Sequence, residues 1–363
     1  MGTVLRRVVV PSLATVALVG ALAGCGSSSD GGSGNGSTGL SGKVAAGGSS
    51  AQEKAQGAWR AGFGADNPDV TISYDPVGSG TGRENFISGA FAFAGSDSAM
   101  TDDEITQATQ TCGGDPVEFP VFISPIDVVF NLSGISKLNL DADTIAKIFK
   151  GQITTWNDPA IAAQNDGVDL PNTKITPIHR SDSSGTTDNF TDYLNKAAPK
   201  VWTDEHSSDW PTAKGESAEG TTGVVGDAQN GDGTIAYADD SGVQGTNLGI
   251  VQLKVGSSYV APSADGAAAG LTASQPMSGT PSSIIAYNIN RTTTDPSTYP
   301  LFMASYEIAC QKYDDQSTAD IVKGFLTYMI SEDGQKAAAA NAFSAPLPSD
   351  IAAKELDIVN QIS

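Results

Sequence analysis

The chain has 363 residues, with 20 Lys and Arg against 41 Asp and Glu, which gives a formal net charge of −21. A chain of this length is too long for one ordinary hydrophobic core and suits two domains of typical size. The acidic balance argues against nucleic acid or an anionic membrane surface as the main partner.

The first residues, 1–24, have the pattern of a targeting segment. Arg6 and Arg7 form a positively charged start, residues 8–20 are apolar, and a Leu-Ala-Gly-Cys sequence ends at Cys25. This ending resembles a bacterial lipobox, which implies cleavage before Cys25, lipid attachment there and an extracytoplasmic protein anchored to the membrane. The alternative is an ordinary secretory signal in which Cys25 is incidental. The apolar run is short for a lasting transmembrane helix.

Residues 25–42 follow as a flexible tether rich in Ser and Gly. If Cys25 carries lipid, Cys112 and Cys310 remain in an oxidising compartment, where a pair is expected to form a disulfide. Two buried free thiols are the alternative.

The next part of the chain alternates helical and extended patterns. The periodicity of residues 51–63 predicts a helix with Ser50 as its N-cap. Residues 70–74 alternate as a strand, a glycine-rich turn at 78–82 opens a short helix, and residues 91–94 are extended. This order predicts an α/β fold with a largely parallel sheet.

Residues 117–131 form a long β-branched run broken by prolines, which is typical of a segment that crosses between domains. A helix is predicted at 143–149, and a strand at 174–178 leads into the richest polar motif of the chain. Further strands are predicted at 234–237, 250–255, 283–288 and 306–310, the last returning to the first domain, and a helix at 321–330.

That motif lies at residues 179–190, which hold an arginine, a carboxylate, hydroxyls and a glycine before an amphipathic helix. The amides of residues 184–186 are predicted at the helix N-terminus, where N–H groups lack intrahelical partners and bind anions. Arg180 adds a planar fork of donors. The combination predicts a site for a small oxyanion rather than for an extended substrate.

Ser50 and Ser79 also precede predicted helices. Taken singly, such a serine is more often an ordinary cap than a ligand contact. The Gly-x-Gly-x-Gly pattern at 78–82 is a weak nucleotide fingerprint because no well-placed acidic residue follows it, and the sequence has no Gly-Lys-Ser/Thr P-loop.

Several segments occur in the order and spacing of the phosphate-binding proteins of ABC-type phosphate importers, and the chain resembles that family over residues 45–349. The most specific of these segments is Arg-Ser-Asp-x-Ser-Gly-Thr at 180–186. The others are Gly-Ser-Gly-Thr-Gly-Arg at 78–83, Phe-Ala-Gly-Ser-Asp at 93–97, residues 123–131, and Gly-Gln-Ile-Thr-Thr-Trp-Asn at 151–157.

The resemblance implies a type II periplasmic-binding-protein fold, in which two α/β domains, joined by two crossing strands, close on a ligand in the cleft between them. We assign residues 43–122 and 295–363 to domain I, and residues 123–294 to domain II. The implied partners are inorganic phosphate and the membrane permease subunits of the importer. We expect a monomer with no cofactor and no metal.

Carried over position by position, the ligand contacts of the family fall on both expected domains. They are Ser50, Ala51, Ser79, Asp97, Arg180, Ser184, Gly185 and Thr186. The first family segment reads Gly-Ala-Thr-Phe before a proline, whereas this chain has Gly-Ser-Ser-Ala at 48–51, which leaves Ser49 and Ser50 as alternatives.

Asp97 offers a physical account of selectivity. At neutral pH phosphate still carries a proton and sulfate carries none, so a fixed carboxylate accepts a hydrogen bond from the first and repels the second. The alternative for Asp97 is a local turn or cap. Asp182 is predicted to pair with Arg180 and fix the orientation of its guanidinium group, or else to cap the turn.

An enzyme is the rival class of protein. A phosphate-ester hydrolase needs an activated nucleophile or a metal cluster. The sequence has two histidines, His179 and His206, and no Gly-x-Ser-x-Gly elbow, and His179 is expected to face away from Arg180 on a strand. The predicted function is therefore phosphate binding for import, without catalysis. Binding of sulfate or molybdate on the same fold is a competing hypothesis, and adhesion is a third.

Overall fold

The structure is a computed structural model that describes residues 39–363. The predicted signal segment, the predicted lipidation site at Cys25 and most of the predicted tether lie outside the described residues. Among the described residues, no helix combines the length and the apolar character that crossing a membrane requires.

Strands and helices alternate along much of the chain. The strands are β1 (Gly42–Gly48), β2 (Val70–Asp75), β3 (Phe93–Ser96), β4 (Pro116–Asn131), β5 (Lys137–Leu140), β6 (Thr176–Arg180), β7 (Glu216–Ala218), β8 (Thr234–Asp239), β9 (Gly249–Val255), β10 (Ser258–Val260), β11 (Gln275–Pro276), β12 (Tyr287–Asn288) and β13 (Phe302–Cys310). The helices are α1 (Glu53–Asp66), α2 (Ser79–Ile87), α3 (Asp102–Cys112), α4 (Ala142–Phe149), α5 (Pro159–Ala162), α6 (Gly185–Ala197), α7 (Gly220–Asn230), α8 (Asp240–Val243), α9 (Ala264–Thr272), α10 (Gln316–Ile330), α11 (Glu332–Ala342) and α12 (Ser349–Val359).

Two long antiparallel strands, β4 and β13, run through the middle of the main sheet, whose order is β2-β1-β3-β13-β4-β8-β6-β7. On one side β1 pairs in parallel with β2 and β3, and on the other β6 pairs in parallel with β8 and β7. The sheet thus has two mainly parallel halves joined by β4 and β13. These two strands are the crossing strands that the sequence predicted. We call the half with β1 to β3 the first lobe and the half with β6 to β8 the second lobe.

The pairing of β4 with β13 is interrupted once. Phe122 pairs with Ser305 and Pro120 pairs with Tyr306, so Val121 is the extra residue of a bulge. Proline lacks a backbone N–H, and bulges are one of the few places where a sheet tolerates it. The bulge lies beside Ser305, a residue of the site described below.

Each lobe has its own aromatic core. Trp59 and Phe325 pack in the cluster between the first-lobe sheet and its helices. Trp156, Phe190 and Tyr237 pack in the main cluster of the second lobe. The central strands β3, β4, β8 and β13 are buried along almost their whole length, whereas the edge strands β2 and β7 keep exposed residues.

The segment that contains α9, β11 and β12 packs toward the first lobe. Leu271 and Ile284 lie in one buried cluster with Phe86 and Ile308. This packing favours grouping residues 264–288 with the first lobe, although the sequence assigned them to domain II. The domain bounds stay a prediction.

Several local predictions need correction. Helix α1 begins at Glu53, and its start is served by Ser49, whose Oγ accepts from the amides of Ala51 (3.0 Å) and Gln52 (3.3 Å), so the prediction of Ser50 as N-cap is wrong. The strand predicted at 283–288 is reduced to β12, because Ile284 makes only an isolated parallel bridge to Glu118 of β4, which buries it against the first lobe.

The predicted disulfide is confirmed. Cys112 at the end of α3 and Cys310 at the end of β13 are bonded, with their Cα atoms 5.3 Å apart and a separation of 198 positions in sequence. The bond closes a long loop within the covalent chain and ties α3 to the crossing strand.

Candidate anion-binding site

The N-terminus of α6 carries the second-lobe part of the site. Ser184 is its N-cap, with an extended backbone and an Oγ that accepts from the amide of Thr187 at 3.2 Å. The helix begins at Gly185, so the amides of Gly185 and Thr186 belong to its first turn, where N–H groups have no intrahelical acceptor. This end of the helix attracts negative charge.

Arg180 ends strand β6 next to this helix start and is almost fully buried. Its Nε donates to Oδ1 of Asp182 at 2.7 Å and its Nη2 donates to Oδ2, while Oδ1 also accepts from the amide of Gly220 at 2.9 Å. Burial raises the pKa of Asp182, but the hydrogen bonds and charge of Arg180 outweigh it and hold that pKa below its usual value. Asp182 therefore stays charged and fixes the guanidinium plane.

Ser79 and Asp97 carry the first-lobe part of the site. Ser79 is the first residue of α2, and its Oγ accepts from the amide of Asp97 at 3.1 Å, which leaves its hydrogen to donate elsewhere. Gly78, just before it, has φ of 94° and lets the chain turn sharply into the helix.

The Asp97 carboxylate is 2% exposed and is held at both oxygens. Ser49 Oγ lies 2.6 Å from Oδ2, and Ser305 Oγ lies 2.6 Å from Oδ1. Burial raises the pKa of Asp97 above its usual value, although hydrogen bonds from Ser305, Ser49 and Ser79 and the charge of Arg180 act in the opposite direction. A carboxylate oxygen has two lone pairs, so each oxygen keeps capacity for one more donor.

Ser50 and Ala51 lie at the contact between the lobes. Ser50 Oγ accepts from the amide of Thr221 at 3.2 Å and lies 3.3 Å from its Oγ1. Thr221 in turn donates to Asp239 at 2.8 Å. Ala51 is buried in the main second-lobe cluster. Ser49, rather than Ser50, is thus the serine that contacts Asp97.

The lobes touch each other around these residues. Gly80 donates its amide to the carbonyl oxygen of Ser183 at 3.0 Å, and Asn189 Nδ2 donates to the carbonyl oxygen of Asp97 at 2.6 Å. A Cβ at Gly185 would lie 2.6 Å from Ser79 Oγ, closer than real Cβ atoms come, so this close approach requires glycine.

The structure brings the predicted residues of both lobes to one place. Thr186 Oγ1 is buried there and has no hydrogen-bond partner among residues 39–363. Buried hydroxyls normally have a hydrogen-bond partner, so the Thr186 hydroxyl marks a position where an acceptor atom of a ligand would supply the missing partner.

Sequence reasoning missed the residues that support the site from a distance. Ser305, Asn189 and Thr221 lie 208, 92 and 171 positions from their partners Asp97, Asp97 and Ser50. Only Asn189 had a usable signal, since it follows Gly185 by four residues on one helix face. Contacts of such separation have no local pattern.

The histidines do not form a catalytic arrangement with the site. His179 Nδ1 pairs with the carbonyl oxygen of its neighbour Arg180, and its ring stacks on Trp210 with centroids 4.8 Å apart. Burial lowers the pKa of His179. His206 pairs with Asp188 at 2.6 Å. Within residues 39–363, no cluster of His, Cys, Asp or Glu has the arrangement of a metal site.

Two α/β lobes, crossing strands and polar groups supplied to one place by both lobes define the class of two-lobed binding proteins. Residues 33–333 match a family model described as a PBP superfamily domain. The phosphate-binding protein PstS2 of Mycobacterium bovis (strain BCG) is 35% identical over 96% of this chain and 96% of its own length. PstS 3 of Mycobacterium leprae is 34% identical over 97% of each chain.

The chain belongs to the PBP superfamily and, within it, to the family of phosphate-binding proteins that carry the name PstS. A solved structure of a high-affinity periplasmic phosphate-binding protein, PfluDING, bound with phosphate, has the same fold, with a TM-score of 0.69. It is 22% identical, and the match covers 88% of this chain and 99% of that one.

Proposed function

We propose that this protein binds inorganic phosphate between its lobes and delivers it to the membrane permease of an ABC-type phosphate importer. The observation that carries the proposal is the pairing of a donor-rich helix end and Arg180 in one lobe with Asp97 in the other. Donors alone would suit any oxyanion. A buried acceptor opposite them suits an anion that still holds a proton.

In this proposal the second lobe supplies Arg180, the Ser184 and Thr186 hydroxyls and the amides at the start of α6. The first lobe supplies the Ser79 hydroxyl, contacts at Ser50 and Ala51, and the Asp97 acceptor. Closure of the lobes removes water, which strengthens each of these polar contacts. The protein binds and releases phosphate unchanged, without catalysis.

Calorimetric titration of ligand-stripped protein with phosphate, arsenate and sulfate tests the ligand. We expect tight, stoichiometric binding of phosphate and of arsenate, its isostere, and far weaker binding of sulfate at neutral pH. Equal affinity for sulfate and phosphate would contradict the role given to Asp97 and favour a general oxyanion-binding protein.

We further propose that the mature protein begins at Cys25, carries lipid there and is held at the outer face of the cytoplasmic membrane. The sequence ending at Cys25 supports this proposal. Cell fractionation is the test: the natural chain should stay with the membrane, and Cys25→Ala should not be lipidated. Lipid-labelled protein from the Cys25→Ala variant would contradict the assignment.

A further inference from the structure

Asp97 is surrounded by hydrogen bonds whose direction can be worked out from the groups that make them. We propose that Gln52 and Ser305 are positioning residues that force hydroxyl hydrogens onto Asp97 and thereby keep it an acceptor toward the ligand. The inference rests on the proposed function and adds residues that set its anion selectivity.

The orientation of the Gln52 amide is fixed by a backbone carbonyl. Gln52 Nε2 lies 2.9 Å from the carbonyl oxygen of Tyr306, which can only accept a hydrogen bond. The atom at that position must therefore be the amide nitrogen. Gln52 Oε1 consistently accepts from Gln56 Nε2 at 2.9 Å. The whole Gln52 side chain is buried, so water does not offer it other partners.

The second hydrogen of Gln52 Nε2 points to Ser305 Oγ, also at 2.9 Å. Ser305 has a single hydroxyl hydrogen, and it cannot be directed at a nitrogen that is itself donating. That hydrogen is left for Asp97 Oδ1, 2.6 Å away. Gln52 therefore decides which way the Ser305 hydroxyl points.

Ser49 is constrained in the same sense. Its Oγ accepts from the backbone amides of Ala51 and Gln52, so its hydrogen is left for Asp97 Oδ2 at 2.6 Å. Both carboxylate oxygens thus receive a hydroxyl hydrogen. Such donors stabilise the charged form of a carboxylate, against the burial that favours the neutral form.

The consequence is anion selectivity. A charged Asp97 accepts a hydrogen bond from an oxyanion that carries a proton, but it repels an oxyanion that carries none. A neutral Asp97 could donate its own proton to sulfate. Ser305 and Gln52, by holding Asp97 in the charged form, exclude sulfate without touching it.

Other ionisable groups face Asp97 and enter any pH dependence. Arg180 favours the charged carboxylate. Tyr74, Glu307 and Asp239 are near enough for their own ionisation to be disfavoured by its charge. Variants must therefore be compared with the wild-type protein at each pH rather than with a reference carboxyl group.

The test is the ratio of sulfate to phosphate dissociation constants, measured calorimetrically on the full chain, together with the pH profile of sulfate binding. In Ser305→Ala this ratio should fall by about tenfold to a hundredfold, because the variant loses one hydrogen bond to a charged group and such a bond contributes a free energy of that size. Sulfate binding should also set in at higher pH than in the wild type. Ser305→Thr, which keeps the hydroxyl, should retain the wild-type ratio.

Ser124→Ala is the matched control. Ser124 is a buried serine on the neighbouring crossing strand, and its Oγ donates to the carbonyl of Pro125 rather than to Asp97. If Ser305→Ala matches Ser124→Ala in ratio and pH profile, the inference is overturned. Should Ser305→Ala not fold, Gln52→Met, which removes the donor at similar length, decides the question in the same way. Wild-type protein that fails to bind phosphate would instead overturn the proposed function.

Discussion

Arg180 is the residue whose removal should affect binding most directly. It is the buried cation of the site, and Asp182 already holds its fork in place. Truncation of one member of a buried charged pair costs 2–5 kcal/mol or more, so Arg180→Ala should weaken phosphate binding by roughly thirtyfold to several thousandfold. The affinity of Arg180→Lys should fall between those of the wild type and Arg180→Ala, because an ammonium lacks the planar fork.

Arg60→Ala is the control for this prediction, since Arg60 Nε donates to a carbonyl of its own helix, α1. Calorimetry on the three variants measures the effect. Phosphate affinity in Arg180→Ala equal to that of Arg60→Ala would remove Arg180 from the site.

At the scale of elements, the start of α6 must come within contact distance of α2 for the lobes to meet. Gly185→Ala places a Cβ 2.6 Å from Ser79 Oγ and 2.8 Å from Asp97 Cβ. Overpacking of this kind costs about 1–3 kcal/mol, so phosphate binding should weaken by about tenfold or more. Alanine is favourable in a helix, so the second lobe itself should not lose stability.

Gly226→Ala, in the interior of α7, is the matched control because a Cβ there meets nothing within 4 Å. Titration with phosphate compares the two variants. Wild-type affinity in Gly185→Ala would mean that the lobes bind phosphate without the close contact seen here.

Strand β4 contains a buried carboxyl group that should make stability depend on pH. Glu118 is fully buried; its Oε1 accepts from the amide of Met100 at 2.9 Å, and its Oε2 has no partner within the described residues. Burial raises the pKa of Glu118 from 4.5 to about 8. Its stabilising contribution is therefore complete below about 4.5 and is lost as the pH rises through about 8.

Glu118→Gln should reduce the loss of unfolding free energy between those two pH limits by roughly 1–3 kcal/mol. Urea denaturation at several pH values measures it, with Glu205→Gln, at an exposed position, as the control. A wild-type pH dependence that survives unchanged in Glu118→Gln would show that this carboxyl group does not titrate in the folded protein.

Elements were predictable where a local pattern carried them. The helix at 143–149 was placed correctly, with Ile145, Ile148 and Phe149 buried, because its periodicity and its Asp141 cap lie within a few residues. The start of α1 was misplaced because Ser49 is recruited by Asp97, 48 positions away. A cap that also serves a distant carboxylate cannot be recognised from its neighbours alone.

At the scale of the whole molecule, the family motifs correctly predicted that both lobes supply residues to one site. The residues that support these from behind, such as Ser305, could not be predicted, because their position depends on how β13 returns to the first lobe. Ser305 meets Asp97 only because β13 lies between β3 and β4 in the sheet. The sequence predicted that return but not its register, and the bulge at Val121 shifts that register. The contact between Ser305 and Asp97 therefore depends on strand pairing in the folded protein, which local sequence patterns do not predict.

The disulfide should support stability without affecting the site. Replacing Cys112 and Cys310 by serine should cost about 2–5 kcal/mol of unfolding free energy. Cys310 follows Ser305 by five residues on an extended strand, roughly 16 Å away, so phosphate affinity should not change. Denaturation and titration of the double variant test this, and a loss of affinity with intact folding would show that the bond also positions the site.

The most direct test of the central claim is a crystal structure of the protein grown with phosphate. We predict one tetrahedral ion between the lobes, within hydrogen-bond distance of the Asp97 carboxylate, the Arg180 guanidinium and the first amides of α6. Phosphate bound elsewhere, or bound between the lobes without contact to Asp97, would contradict the account.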